Sequence, residues 1–407
     1  MSKIDELIER LCPDGVEYKA LKEIGSVDRG GSFQKKDFVE EGMPCIHYGQ
    51  IYTKFGLHAA ETFTFVSETV FEKSKKAHPG DVVMAVTSEN IEDVCKCVTW
   101  LGDGDVAVSG HTAIIRHNQN PKYMTYFFRS AAFEPIKNRL AHGTKVIEVT
   151  PAKLLDVRIP VPPMEVQEEI VRVLDSFAEL EAELEAELEA RKRQYAHYRD
   201  LLLTFEERER VRWVTLGDIC SKVCSGSTPN KKQSLYYKGG NIPWLRTQEV
   251  DFCDVYDTGI KITEAGLANS SAKMIPANCV IVAMYGATAG KAAVNKIPLC
   301  TNQACCNLEI NPSVALYRYV YHWVCKEYEN IKSLGQGSQN NISGATVKGY
   351  PIPVPSLETQ GQVVEALDQF DALVNNISQG LPAEIEARRK QYAYYRDKLL
   401  SFKEKVA

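Results

Sequence analysis

Three short stretches of this 407-residue chain place ligand-gripping side chains at suggestive spacings. Gly286-Ala-Thr-Ala-Gly-Lys291 has the glycines and lysine of a loop whose backbone N–H groups wrap a phosphate. It is one residue short between the glycines, however, and Ala292 stands where Mg²⁺ needs a hydroxyl, so it does not support nucleotide binding. Pro13-Asp14 followed by Glu17-Tyr-Lys19 offers the carboxylates and lysine of a nuclease metal site. Two residues separate those carboxylates, where such a site needs two strands and a turn. Asn120-Pro-Lys-Tyr123 has the outline of the Asn-Pro-Pro-Tyr that holds a target amino group in adenine methylation, yet no glycine-rich cofactor loop follows a strand upstream. No nucleophilic triad or zinc spacing emerges, and the 12 cysteines include no Cys-x-x-Cys pair. Reduced, buried thiols are expected, with no metal and no cofactor.

The informative spacing is the longest one. Ala190 to Phe205 (ARKRQYAHYRDLLLTF) and Ala387 to Phe402 (ARRKQYAYYRDKLLSF) match at 11 of 16 positions, 197 residues apart. Upstream, Ile159-Pro-Val-Pro162 repeats as Ile352-Pro-Val-Pro355. Gln167 matches Gln360, Asp175 matches Asp368 and Phe177 matches Phe370, all at an offset of 193. Val16 to Ile24 also aligns with Val211 to Ile219 at an offset of 195. A period this long is a whole domain with its connector, not a stacking repeat of 20 to 50 residues.

Each copy opens with about 130 residues of strand-like runs and glycine turns, such as Asp81-Val-Val-Met-Ala-Val-Thr87, Val106-Ala-Val-Ser-Gly110 and Asn278-Cys-Val-Ile-Val-Ala-Met284. These predict an α+β domain. After each Pro-rich phrase helix formers dominate, and Met164 to Phe205 contains neither proline nor glycine. Helices over about 165–205 and 358–402 are expected, a length of ~60 Å for ~40 residues. Ile170, Leu174, Phe177, Leu184 and Leu188 face Val363, Leu367, Phe370, Val374 and Ile377 in the spacing of an antiparallel coiled coil, which would put the globular domains at opposite ends. Gly380-Leu-Pro382 predicts a break in the second helix.

Ala178 to Glu189 is Ala-Glu-Leu-Glu three times over. Leu180, Leu184 and Leu188 form a slowly drifting ridge, and the alanines would allow close helix approach. Glu179, Glu183 and Glu187 repel at i, i+4, so basic partners such as Arg388, Arg389 and Lys390 are expected beside them unless the face is simply solvated.

A net charge of −5 hides an uneven distribution. Residues 165–189 carry ten carboxylates and one arginine, a net −9, so the rest of the chain sums to +4. Residues 211–345 hold 13 Lys/Arg against 9 Asp/Glu, while residues 16–145 balance at 16 each. Such domains are compatible with DNA but do not demand it. No apolar run reaches the ~20 residues that span a bilayer. Met1-Ser-Lys-Ile-Asp-Glu6 lacks the start of a signal peptide, so a cytoplasmic location is expected.

The duplication, the Ile159 to Asp175 phrase and the string from Ser225-Gly-Ser-Thr-Pro229 to Gly239-Gly-Asn-Ile-Pro-Trp244 together resemble the specificity subunits of type I restriction-modification systems. The resemblance spans nearly the whole chain, including the Gln-Tyr-x-x-Tyr-Arg-Asp helix ends and the Ala-Glu-Leu-Glu spacer. It implies a first target recognition domain at 1–157, a helical spacer at 158–210, a second recognition domain at 211–350 and a second spacer at 351–407. It further implies an α+β fold in which a long antiparallel two-helix coiled coil separates the two domains with pseudo-two-fold symmetry. The implied role is non-catalytic: each domain reads half of a split site on double-stranded DNA. The helices dock two methyltransferase subunits, and restriction/translocase subunits join through the complex. A duplicated coiled-coil adaptor that binds only protein is the alternative, and a divergent nuclease or methyltransferase is a third reading that the missing motifs disfavour.

Under that resemblance the polar turn residues become candidate DNA contacts, since Arg and Lys suit guanine or phosphate and Gln and Asn suit adenine. In the first domain these are Ser32, Gln34, Lys35, Lys36, Tyr48, Gln50, Ser88, Asn90, His111, Thr144 and Lys145. In the second they are Ser227, Thr228, Lys231, Lys232, Arg246, Thr247, Gln248, Tyr285, Thr288, Lys291, Gln303, Ser338, Gln339, Asn340 and Asn341. A solvated turn is an equally good account of any single one. Gly30, Gly31, Gly226, Gly286 and Gly290 read as structural. Gln194, Tyr195, Tyr198 and Arg199, with Gln391, Tyr392, Tyr395 and Arg396, fit either partner docking or packing of the helix ends.

Overall fold

A computed structural model of the chain describes residues 3–205, 211–336, 341–375 and 380–405. The chain divides into two compact units. The first comprises Met1–Ala182 with Ala387–Ala407, the second Glu183–Glu386. The division is not the linear one expected from the sequence: each unit takes in the end of the other copy's helix.

In the first unit a five-stranded sheet runs Gly25–Arg29, Thr112–His117, Val82–Ala85, Cys97–Trp100, His58–Ala59 across its width. Its central strands are buried on both faces, which is why they read as unbroken apolar runs. The alternation of side chains still sorts them. Val82, Met84, Cys97, Ala113 and Ile115 face a helical core that contains Tyr123, Tyr126 and Phe127 of helix α1 (Pro121–Phe128). Val83, Ala85, Val98, Trp100 and Ile114 face a second sheet through Ile46, Ala77, Val106 and Val108. That sheet runs Phe38–Val39, Thr64–Val66, Met43–Ile46, Val106–Val108, Lys76–Ala77.

Helix α2 spans Met164–Leu202, and the boundary between the units falls within its Ala-Glu-Leu-Glu repeat. The second unit repeats the strand order of the first: Cys220–Ser225, Cys305–Ile310, Val280–Ala283, Ala292–Asn295, Cys253–Val255. A four-stranded sheet covers one face of it. Helix α3 (Tyr317–Lys326) covers the other, in the place α1 takes in the first unit. Helices α4 (Leu357–Asn375) and α5 (Leu381–Leu399) follow, with Pro382 in the first turn of α5, so the predicted break is present.

The register-matched residues clamp these parts together. Gln167 is 1% exposed: its Oε1 accepts the Asn120 N–H at the start of α1 (3.0 Å) and its Nε2 donates to the Pro162 carbonyl (2.8 Å). Gln360, fully buried, does the same for the Leu316 N–H (2.9 Å) and the Pro355 carbonyl (2.9 Å). Tyr123 and Tyr319 each donate to a carbonyl of the Pro-rich phrase, Pro160 and Pro353, both at 2.9 Å. Asn120 Oδ1 accepts the Tyr123 N–H (3.1 Å), so the methylation-like Asn-Pro-Lys-Tyr phrase is a helix cap.

The helix pairing needs correction. Val166, Ile170 and Leu174 pack into the core of the first unit, and Val363 and Leu367 into that of the second, so the first turns of α2 and α4 bury against globular domains. Pairing between the copies begins later. Phe177 stacks on Tyr395 (5.4 Å between centroids) in the first unit, and Phe370 stacks on Tyr198 (5.3 Å) in the second. Ile377 lies outside the described residues. Ala178, Ala182 and Ala186 are exposed, and so is Leu180 (45%), so of the expected leucine ridge only Leu184 and Leu188 are half-buried. Arg389 meets Glu181 at 2.6 Å, while Glu187 bonds Arg191 of its own helix at 3.1 Å.

Candidate nucleic-acid interface

Five segments of the first unit converge at one edge. Gly30 and Gly31 donate to Thr112 and Val108 carbonyls (3.0 and 2.8 Å), which fixes the loop carrying Ser32 to Lys36 beside the Ser109–Thr112 turn. The Tyr48 N–H donates to Ser109 Oγ (3.0 Å), and its ring lies 5.1 Å from that of His111. His111 Nδ1 is 3.2 Å from Thr87 Oγ1, and Thr87 and Ser88 pair with Glu148 and Ile147, which brings in the loop of Thr144 and Lys145. Ser32, Gln34, Lys35, Lys36, Asn90, His111, Thr144 and Lys145 are exposed, and Tyr48 is half-buried. Gln50 and Ser88 depart from the expectation. Gln50 is 8% exposed, donating to Thr64 Oγ1 (3.1 Å) and accepting the His47 N–H (3.2 Å) as part of a helix cap. Ser88 is 9% exposed and accepts the Asn90 N–H (3.4 Å). Both side chains belong to the scaffold.

The second unit assembles the same edge. The Ser227 N–H donates to the Thr301 carbonyl (2.9 Å), and Thr228 bonds Gln303 side chain to side chain. The Asn302 N–H donates to the Leu245 carbonyl (2.9 Å), placing Arg246 nearby, and Thr288 Oγ1 donates to the Thr247 carbonyl (2.8 Å). The Ile342 N–H donates to the Met284 carbonyl (2.8 Å), which sets Asn341 next to Tyr285. Lys231, Lys232, Gln248, Tyr285 and Gln303 are exposed. Lys291 departs from the group: its ammonium sits 2.5 Å from Asp251 and over the Phe252 ring, so it is already paired. Ser338, Gln339 and Asn340 lie outside the described residues.

The glycines set how closely these loops approach. A Cβ at Gly226 would lie 1.9 Å from the Thr301 carbonyl oxygen, and one at Gly30 would lie 2.1 Å from that of Ser109. Gly286 and Gly290 adopt φ of 82° and 87°, where a side chain is strained. Gly226→Ala is therefore expected to cost about 2 kcal/mol by overpacking. A urea midpoint left unchanged by that substitution would contradict this packing.

Most of the eight helix-end residues make contacts within their own unit. Tyr195 is 7% exposed and its O–H meets His322 Nδ1 at 3.1 Å, while Tyr392 packs against the core of the first unit. Arg191 bonds Gln194 (3.0 Å) and Arg388 bonds Gln391 (3.2 Å). Arg199 and Arg396 lie over the rings of Tyr195 and Tyr392. Tyr198, 38% exposed, keeps an open edge.

The residue the sequence reading missed is Arg318 on α3. Its guanidinium donates to Asp368 (2.8 Å), Asp371 (2.9 Å) and Asp254 (3.0 Å), and it lies over Tyr321. Asp368 also accepts from His322 Nε2 (2.7 Å). In the first unit Asp175 plays the matching part, accepting from Lys122 and Tyr126, both at 2.6 Å. The shared offset of Asp175 and Asp368 was the signal, although nothing in the sequence named their partners. Burial would raise the Asp368 carboxyl, but His322 and Arg318 hold it below the usual range.

Burial pushes His322 below the ordinary imidazole value despite Asp368, in keeping with a neutral ring that accepts from Tyr195 and donates to Asp368. Burial also lowers His117, to about 4; its Nδ1 accepts the Gln119 N–H and its Nε2 is inaccessible and unpartnered. A folded state that resists protonation loses stability as pH falls, because the unfolded histidine takes its proton first, near ~6.5. The melting temperature is thus expected to fall from pH ~6.5 toward 4, and to fall less in His117→Gln. Equal pH dependence in both proteins would overturn the assignment to His117.

Two modules with one strand order define a duplicated frame whose edge loops differ between the copies. Residues 13–190 and 209–387 each match the Type I restriction modification DNA specificity domain, and the chain belongs to that family. The specificity subunit of the EcoR124I/EcoR124II type I restriction enzyme of Escherichia coli is 40% identical over 259 residues, 60% of this chain and 63% of that subunit. The alignment thus spans less than two thirds of that relative. The EcoprrI specificity subunit, also of E. coli, is 30% identical over 215 residues, covering 48% of this chain and 51% of that one. The crystal structure of a type I restriction-modification S subunit from M. genitalium superposes with a TM-score of 0.55 at 15% identity, over 95% of this chain and 96% of that one. A chain from a structural study of assembly and conformational transition in a type I system gives 0.61 at 18% identity, over 95% and 97%. These two establish the shared fold. Nine of the twelve cysteines are buried free thiols. Among the described residues no helix is long and apolar enough to cross a membrane.

Proposed function

We propose that this chain is the non-catalytic, sequence-reading component of a type I restriction-modification complex in the cytoplasm, each unit reading one half of a split site on double-stranded DNA. Its helices dock two methyltransferase subunits, through which restriction/translocase subunits join. The observation that carries this is the pairing of an invariant frame with different loops. The two units share strand order and the Gln and Asp clamps, yet at the converging edge one presents Tyr48 and His111 and the other Arg246 and Gln303. A frame held constant while its edge residues differ suits two readers of different half-sites. Docking would use the open faces of the helix ends, where Tyr198 and Tyr394 are exposed, rather than the inward tyrosines.

The test is an exchange. When residues 211–350 are replaced by the matching stretch of another family member, mapping modified adenines in cells that also carry the methyltransferase should show one half of the site changed and the other kept. A change in both halves, or in neither, would refute one reader per half-site.

A further inference from the structure

At the edge of the first unit lies a cavity of about 470 Å³, lined by Arg29, Gly30, Gly31, Ser32, Lys73, Lys75, Gly110 and His111. Three of these side chains are cationic and none is a carboxylate. Lys73 and Lys75 are exposed, and among the described residues neither has an acidic partner. Arg29 has one distant partner, Glu148 at 3.9 Å. The walls are backbone: Gly30 and Gly31 are drawn against the Ser109–Thr112 turn, and His111 holds a left-handed φ of 63°, which turns its ring across the opening toward Tyr48.

Concentrated positive charge with small side chains between is what a phosphate group needs: close approach to backbone and lysines that act as mobile point charges. Strand register identifies the matching place in the second unit, since Arg29 pairs with Ala113 as Ser225 pairs with Cys306. Arg29 is thus replaced by Ser225, and His111 by Ala304. The two edges are therefore not electrostatically equivalent.

Resting on the DNA-reading role above, we propose that this cavity seats a backbone phosphodiester of the half-site read by the first unit, through Lys73, Lys75 and Arg29. None of the three was a candidate from the sequence.

The experiment measures binding of the full chain, assembled with its methyltransferase subunits, to a random-sequence duplex across a KCl series. It compares the unaltered chain with Lys73→Ala/Lys75→Ala, Lys73→Arg/Lys75→Arg and a control, Lys153→Ala/Lys403→Ala, which removes two exposed lysines outside the cavity. Each phosphate contact contributes about 0.9 to the slope of log affinity against log salt, so the alanine pair should flatten that slope by about 1.8. Affinity at low salt should fall roughly tenfold or more, equally for all sequences, with the slope restored by the arginine pair and untouched in the control. The mapped recognition sequence should not change. If the unaltered complex binds but the slope of the alanine pair equals that of the control, the cavity is no phosphate seat while the reading role stands. If the unaltered complex binds no duplex at all, both fail together.

Discussion

Excising one Ala-Glu-Leu-Glu unit from α2 moves modification to a site whose unread gap is shorter by about one to two base pairs, because four helical residues span ~6 Å and base pairs stack at ~3.4 Å. Four residues also turn a helix ~40° beyond a full rotation, so the deletion changes phase by little. The boundary between the two units falls inside this repeat, where Ala178, Ala182 and Ala186 are exposed and Leu180 is 45% exposed; removing Ala178 to Glu181 therefore spares Leu188, which packs against the second unit's core. Methylation of the original site should drop roughly a hundredfold or more, the cost of about two lost base contacts. Adding a fourth unit should lengthen the gap by the same step. Sequencing methylated DNA from cells carrying each variant reads the gap directly, and a gap indifferent to the number of repeats would end the idea that α2 sets it.

Arg318→Ala should unfold the second unit selectively. Its guanidinium is the meeting point of Asp254, Asp368 and Asp371, with 11% of its side chain exposed. Removing it leaves three partly buried carboxylates facing one another, for which the cost of an uncompensated buried charge is about 3–5 kcal/mol. For a unit of this size that lowers melting by roughly 10 °C. Arg318→Lys should recover part of the loss, because a single ammonium can satisfy one or two of the carboxylates but not all three in the planar geometry of arginine. Calorimetry of the full chain would show the lower-melting transition displaced. A uniform shift, or none, would mean that the clamp does not hold α3 to α4.

Much of the frame was legible in the sequence because duplication writes the same requirement twice. Gln167 and Gln360 stood out by offset alone, and each proves to satisfy a helix start and a proline-phrase carbonyl that would otherwise be buried unpaired. The central strands were legible as apolar runs. What could not be read was direction. Ile170 and Leu174 have the spacing of a coiled coil, but spacing says that a face is buried and not what buries it, and here a globular core does. The helix-end tyrosines were ambiguous for the same reason. Gln50 looked like a base reader because its type is right, and its burial follows from Thr64, which lies 14 residues away in sequence. Arg318 was invisible because its three acids come from positions 50 to 64 residues distant.

The first unit is completed by the C-terminal tail. Leu400 is fully buried in its core, the Val16 N–H donates to the Lys403 carbonyl (2.9 Å), and Tyr18 and Arg158 bond Phe402 and Glu404. In the second unit Leu203, just past the end of the first copy's helix, is buried in the core, and Lys326 bonds its carbonyl (3.3 Å). Each half thus lends a strap and borrows one, and the two straps are near-identical in sequence. A gene truncated after the first strap would encode a product with an empty seat and a spare buckle, self-complementary and complete only when two copies exchange arms. Loss of half the coding sequence need not destroy such a reader; it would leave one whose two halves are the same.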